Sequence, residues 1–228
     1  MHVATRRTLL SGSSAGGIYV PEWVTWLDGL GKGVQCAYDF RGVSALEDGV
    51  HLGNVPTYAL DPGTPTFSAN GLVCNQDTIL NTGYNPSVTG TWACLFTNAD
   101  LSPALYHHVF GSGGATYLNN DIYVRPYGRS GDSSKRVAAW RVSSEWTGTY
   151  TNGWFAIVPE WLWINGTLNY ALDTNTMNAS GRPIYVGGFN RDNSYQSAYK
   201  GTIQAYFATT ATLTDPQLGL AYTKMLAG

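Results

Sequence analysis

The chain has 228 residues, 13 Lys and Arg against 15 Asp and Glu, a net charge of −2, 12% charged and 13% aromatic residues, and 27 Gly. Disordered chains have few aromatics and high net charge, so that class is excluded. The missing basic surplus argues against a nucleic-acid partner, and no run approaches the ~18 uninterrupted apolar residues of a membrane span. What remains is an all-β protein whose low charge implies a surface of Asn, Thr, Ser and Tyr.

Arg6-Arg7-Thr8-Leu9-Leu10 has the outline of a twin-arginine export signal, but the SGSSAGG that follows is too polar for a signal's apolar core. Residues 1–17 therefore read as an extended N-terminal arm, with residues 18–228 as one sandwich domain. Gly/Ser-rich termini are mobile unless something holds them. Arg6, Arg7, Leu9 and Leu10 are the candidate assembly contacts with a neighbouring subunit. The cysteines, Cys36, Cys74 and Cys94, include no CxxC pair, so they read as three reduced, mostly buried thiols rather than a zinc site.

Ile18–Asp28 reads as an extended apolar stretch, with Pro21 at a strand start or edge. Residues 29–66 read as irregular loops with short strands. Strands bounded by turn residues are expected at Gly71–Asn75, Thr91–Thr97, His107–Gly111, Ile122–Tyr127, Arg136–Val142 and Trp154–Val158, a spacing that suits a sandwich of short antiparallel strands. In Trp161–Leu172, Asn165-Gly166 is the preferred pair for a type I′ hairpin turn. Pro183–Phe189 reads as a strand breaking at Gly187-Gly188. Tyr199–Ala208 alternates, with Ile203, Ala205 and Phe207 on one face and Thr202, Gln204 and Tyr206 on the other. The chain ends in the one expected helix, opened by the capping box Thr214–Gln217 and carrying a stripe of Leu218, Ala221, Tyr222 and Met225. That helix is expected across an end or edge of the sandwich.

Three pieces near the C-terminus, Trp163-Ile164-Asn165-Gly166, Ile184–Gly188 and Tyr199–Leu218, resemble the closing third of concanavalin A-like, laminin-G-like jelly-roll domains. Upstream, Gly71–Asn75 and Gly90-Thr91-Trp92 match the early core strands more loosely. The arm followed by Tyr19-Val20 and Trp26-Leu27-Asp28-Gly29 resembles bacteriophage virion-associated proteins that carry this jelly roll. The resemblance implies an all-β, two-sheet antiparallel jelly roll with a short C-terminal helix. It further implies a non-enzymatic decoration, tail or adhesion protein on the virion surface, held to other capsid or tail proteins by its arm, homo-oligomeric, with a host-surface glycan as a further partner. Fold alone does not fix function. A soluble lectin-like carbohydrate-binding module is the first alternative, and a glycoside hydrolase or lyase with a non-standard site is the second.

The catalytic pattern of the family's glucanases, Glu-x-Asp-x-x-Glu on one strand, does not occur. Glu47-Asp48 are adjacent, and adjacent strand residues face opposite sides. Glu22, Glu145 and Glu160 are isolated beside tryptophans, His107-His108 point apart in a strand, and no Gly-x-Ser-x-Gly elbow exists. No cofactor is expected. Family members often hold calcium at a rim, and Asp77, Asp121 and Asp192 are the acids in polar turns, where a plain turn role is the simpler reading. For glycan contacts, exposed rings stack on sugar faces. Trp146, Tyr150, Trp154 and Tyr195 lie near loop-rich sequence and are the candidates.

Overall fold

The computed structural model describes residues 19–59, 66–75, 78–86, 89–100, 108–113, 122–125, 136–139, 146–147, 150–159, 161–171, 181–191, 194–196 and 199–228. Arg6, Arg7, Leu9 and Leu10 lie outside the described residues. In chain order the elements are α1 (Glu22–Gly29), β1 (Val34–Asp39), a 3-10 turn (Glu47–Gly49), β2 (Val50–Leu52), β3 (Thr57–Tyr58), β4 (Thr66–Ser68), β5 (Gly71–Asn75) and β6 (Leu80–Asn81). They continue with β7 (Thr91–Thr97), β8 (Phe110–Gly113), β9 (Ile122–Arg125), β10 (Arg136–Ala139), β11 (Trp146–Thr147), β12 (Gly153–Val158), β13 (Trp161–Ile164) and β14 (Thr167–Ala171). The last are β15 (Tyr185–Val186), β16 (Phe189–Arg191), β17 (Ser194–Gln196), β18 (Lys200–Thr209) and α2 (Asp215–Ala227).

Two sheets stack face to face. The first runs β14-β13-β12-β7-β18-β1-β2, with β5 on β18 and β4 on β5; the second runs β11-β10-β9-β8-β15-β6-β3, with β16 on β8 and β17 on β16. The first sheet is antiparallel throughout its described pairs. In the second, β16 lies parallel to β8. This is the expected two-sheet sandwich.

Its spine is β18, ten residues long, which pairs with β7 on one side and with β5 and then β1 on the other. The expected alternation along β18 fails at one point. A β-bulge between Ile203 and Ala205 inserts Gln204, so Ile203 pairs with Phe96 and Ala205 with the next residue back, Leu95. One extra residue shifts the phase of every side chain beyond it. Ile203, Tyr206 and Ala208 therefore face the second sheet, while Ala205 and Phe207 face away from it. The bulged residue is not wasted, because its carbonyl accepts from the Phe40 N–H at 2.8 Å.

The first sheet is buried on both faces, and its sequence says so residue by residue. On β7, Trp92, Cys94 and Phe96 enter the core between the sheets, and Ala93 and Leu95 enter a second core. On β12, Phe155 and Ile157 take the inner side, while Trp154, Ala156 and Val158 take the outer. The second core is closed by the two helices. Trp23, Val24 and Leu27 of α1 and Leu218, Ala221 and Met225 of α2 pack onto it. The architecture is thus helices, sheet, sheet.

Three expectations are corrected here. Residues 22–29 are helical rather than extended, because Trp23, Val24 and Leu27 at i, i+1 and i+4 share one helix face. Pro21 opens the helix, its carbonyl accepting from the Val24 N–H at 3.0 Å, a place where a missing N–H costs nothing. The C-terminal helix lies over the outer face of the first sheet, not across an end or edge, since that face needed covering. Its capping box forms as read: Gln217 Oε1 accepts from the Thr214 N–H at 2.9 Å. Residues 29–66 also hold more sheet than expected, since β1 is six residues long and sits between β18 and β2.

The hairpin forms at Asn165 (φ 49°) and Gly166 (φ 73°). Its tip is pressed against α2: a Cβ on Gly166 would sit 2.4 Å from Tyr222 Cδ1. β5 and β7 have the bounds read from sequence, and the strand at Tyr185 breaks at Gly187-Gly188 as expected. All three cysteines are buried thiols outside any disulfide, and burial pushes the Cys36 thiol up to about 12. Among the described residues no helix is long and apolar enough to cross a membrane.

Candidate functional site

The described polar side chains converge where β1 ends. Asp39 is buried, and its carboxylate accepts four hydrogen bonds. Trp23 Nε1 of α1 donates at 2.9 Å, and the Arg41 N–H, Nε and Nη2 supply the other three. Arg41 Nη1 donates in turn to the Met225 carbonyl at 2.6 Å. That carbonyl lies in the last turn of α2, where carbonyls lack intrahelical partners and a cation is favoured. Asp39 and Arg41 thus clamp both helices to the sheet. On the surface, Glu22 pairs with Lys224, a second and weaker tie between α1 and α2.

Above the clamp lies an open cleft of about 540 Å³. Tyr19, Asp39, Arg41, Val43, Asp48 and His51 are among the residues that line it. The Tyr19 ring is 73% exposed at its rim, with Oη 3.5 Å from the Gly228 carbonyl. Asp48 is exposed, on the 3-10 turn. His51 is only 9% exposed, and its Nδ1 has no hydrogen-bond partner. The nitrogen is shut off from solvent, and leaving it unsatisfied costs on the order of 1–3 kcal/mol.

Burial pushes the His51 imidazole below its usual value of 6.5, against the opposing pull of Asp39. The cleft also carries Arg41 and Asp48. A histidine lowered on folding binds fewer protons in the native chain than in the unfolded one. Its stability contribution is full above pH 6.5 and is lost as the pH falls through the folded value. The melting temperature should therefore fall more steeply below pH 6.5 in the wild type than in His51→Gln. Parallel melting curves would show that His51 does not titrate in this way.

The candidates read from sequence fall elsewhere. Trp154 is fully buried under α2, with its Nε1 3.1 Å from Met225 Sδ and its ring 5.8 Å from that of Tyr222. It has no face to offer a sugar, because β12 turns it toward the helices. Tyr150 is half-buried and packs edge-on against Phe155 at 5.5 Å, on the opposite side of the sheet. The backbone of Trp146 pairs with Val137 and that of Tyr195 with Asn190, while their side chains lie outside what is described. Asp77, Asp121, Asp192, His107, Glu145 and Glu160 also lie outside the described residues. His108 is buried, stacked on Phe189 at 5.0 Å with Tyr123 edge-on. Among the described residues no group of three or more His, Cys, Asp or Glu could hold a metal ion. A sequence signal for the cleft did exist: Asp39 and Arg41 are two apart, which in extended chain places both on one side.

No family model and no curated protein matches this sequence. Solved structures do match. Domain 4 of AbnA, an extracellular arabinanase of family GH43 from Geobacillus stearothermophilus in complex with arabinotriose, superposes with a TM-score of 0.53 at 15% identity, covering 83% of this chain and 98% of that one. The fold is a jelly-roll-like β-sandwich. Trypanosoma rangeli sialidase matches with a TM-score of 0.52 at 11% identity, over 83% of this chain but 32% of that one. At these identities the likeness is one of fold, and the chain spans about a third of the sialidase.

Proposed function

We propose that the chain is a non-catalytic carbohydrate-binding module that takes a sugar in the cleft beside Tyr19. The observation that carries this reading is the make-up of the cleft. An exposed aromatic ring stands over polar side chains, in a space of about 540 Å³ that suits a small ligand. A ring of this kind covers the apolar face of a sugar, while Asp48 and His51 meet its hydroxyls. The AbnA domain, matched over nearly its whole length, is described with arabinotriose bound, which supports the same reading. Hydrolysis by two carboxylates needs both of them available. Of the two in this cleft, Asp39 is fully engaged by Arg41 and Trp23, which leaves Asp48.

A glycan array probed with the full chain tests this. Binding is expected, and Tyr19→Ala should weaken it by about tenfold, roughly 1.4 kcal/mol, without lowering the melting temperature. No binding at millimolar ligand would sink the proposal.

A second reading, a structural, decoration or adhesion protein of a bacteriophage virion, is favoured by the likeness of the arm and of Tyr19–Gly29 to such proteins. The two readings are compatible. Under the second, deletion of residues 1–17 abolishes co-sedimentation with particles and leaves sugar binding intact. Unchanged sedimentation would remove the anchoring role of Arg6, Arg7, Leu9 and Leu10.

A further inference from the structure

The electrostatics of the cleft go further than its shape and name the class of sugar. Among the described residues that line it, Arg41 is the one cation. A guanidinium recognises a carboxylate by presenting a pair of parallel N–H groups. Here Nε and Nη2 already point at Asp39, and Nη1 donates to the Met225 carbonyl. The charge of Arg41 is compensated within the fold by Asp39, and three of its five guanidinium N–H donors are engaged by protein acceptors. Asp48 remains as an exposed carboxylate, so the cleft is net negative.

On the carbohydrate-binding reading, we infer that this cleft takes an uncharged sugar and rejects sugars that bear a carboxylate. A hydroxyl donates to Asp48 at no electrostatic cost. A sialic acid or uronic acid would place its carboxylate beside Asp48 and Asp39 with no uncompensated cation to receive it, and like charges in one site repel. Selectivity of this kind comes from a built-in repulsive element as much as from the attractive contacts.

The test is calorimetric titration of the full chain with arabinotriose and with α2,3-sialyllactose and its uncharged counterpart lactose, for the wild type and for Asp48→Lys and Asp48→Asn. Asp48 is exposed, so both variants are expected to melt with the wild type. The inference expects the neutral sugars to bind at least about tenfold more tightly than sialyllactose. It also expects Asp48→Lys to narrow or invert that ratio, with Asp48→Asn between the two. Sialyllactose binding as tightly as lactose, or a ratio indifferent to Asp48→Lys, would overturn the selectivity while leaving carbohydrate binding in place. Binding of none of the three sugars would overturn both.

Discussion

Asp39→Ala is expected to destabilise the protein by about 3–5 kcal/mol, because it removes one partner of a buried ion pair and leaves the other charge uncompensated. The side chains are 6% and 18% exposed, and the same change strips Trp23 Nε1 of its acceptor. At about 2–4 °C per kcal/mol for a chain of this size, a melting temperature at least about 6 °C below that of the wild type should result. The double variant Asp39→Ala, Arg41→Met should recover much of the loss, since a buried pair replaced by apolar groups is often near neutral. Thermal denaturation of the three proteins checks this. A single variant within about 0.5 kcal/mol of wild type, the range of ordinary surface changes, would mean that the clamp does not hold the helices.

Trp154→Ala is expected to cost a similar amount, about 3–5 kcal/mol, through the lost apolar contact and the cavity left under α2. Trp154 is wholly buried and is packed between the first sheet and the residues Tyr222 and Met225. Sugar affinity, measured below the lowered melting temperature, should be unchanged. The opposite pattern, intact stability with lost affinity, is what a binding-site tryptophan would give. Denaturant unfolding paired with titration separates the two.

The contrast between these two residues shows what the linear pattern could carry. Short apolar runs bounded by turn residues, such as Thr91–Thr97, declare a strand, and Asn165-Gly166 and Thr214–Gln217 declare a turn and a helix start by local chemistry. Those features were legible. The helix at Glu22–Gly29 was written in the i, i+1, i+4 spacing of Trp23, Val24 and Leu27, but Pro21 reads equally well as a strand edge until the bare sheet face above it is known. The bulge at Gln204 has no local signature, since it is set by pairing to β7 and β1. Composition could not say that a second core exists, so an aromatic such as Trp154 near loop-rich sequence read as exposed. Of the cleft, the Asp39–Arg41 spacing alone was legible, and the rest was hidden for the same reason. It joins Tyr19, residues 39–51 and the last turn of the chain, which meet only because both helices dock on one face of the first sheet.

The most direct test of the carbohydrate reading is a ¹⁵N–¹H titration of the assigned full chain with arabinotriose. Amide shifts are predicted to move at Tyr19, Arg41–Val43 and Asp48–His51, and to stay still at Trp161 and Leu168, which are exposed at the far end of the same sheet. Saturable shifts confined to the second sheet or to the β13–β14 hairpin would contradict the account, because the sugar would then sit away from the cleft.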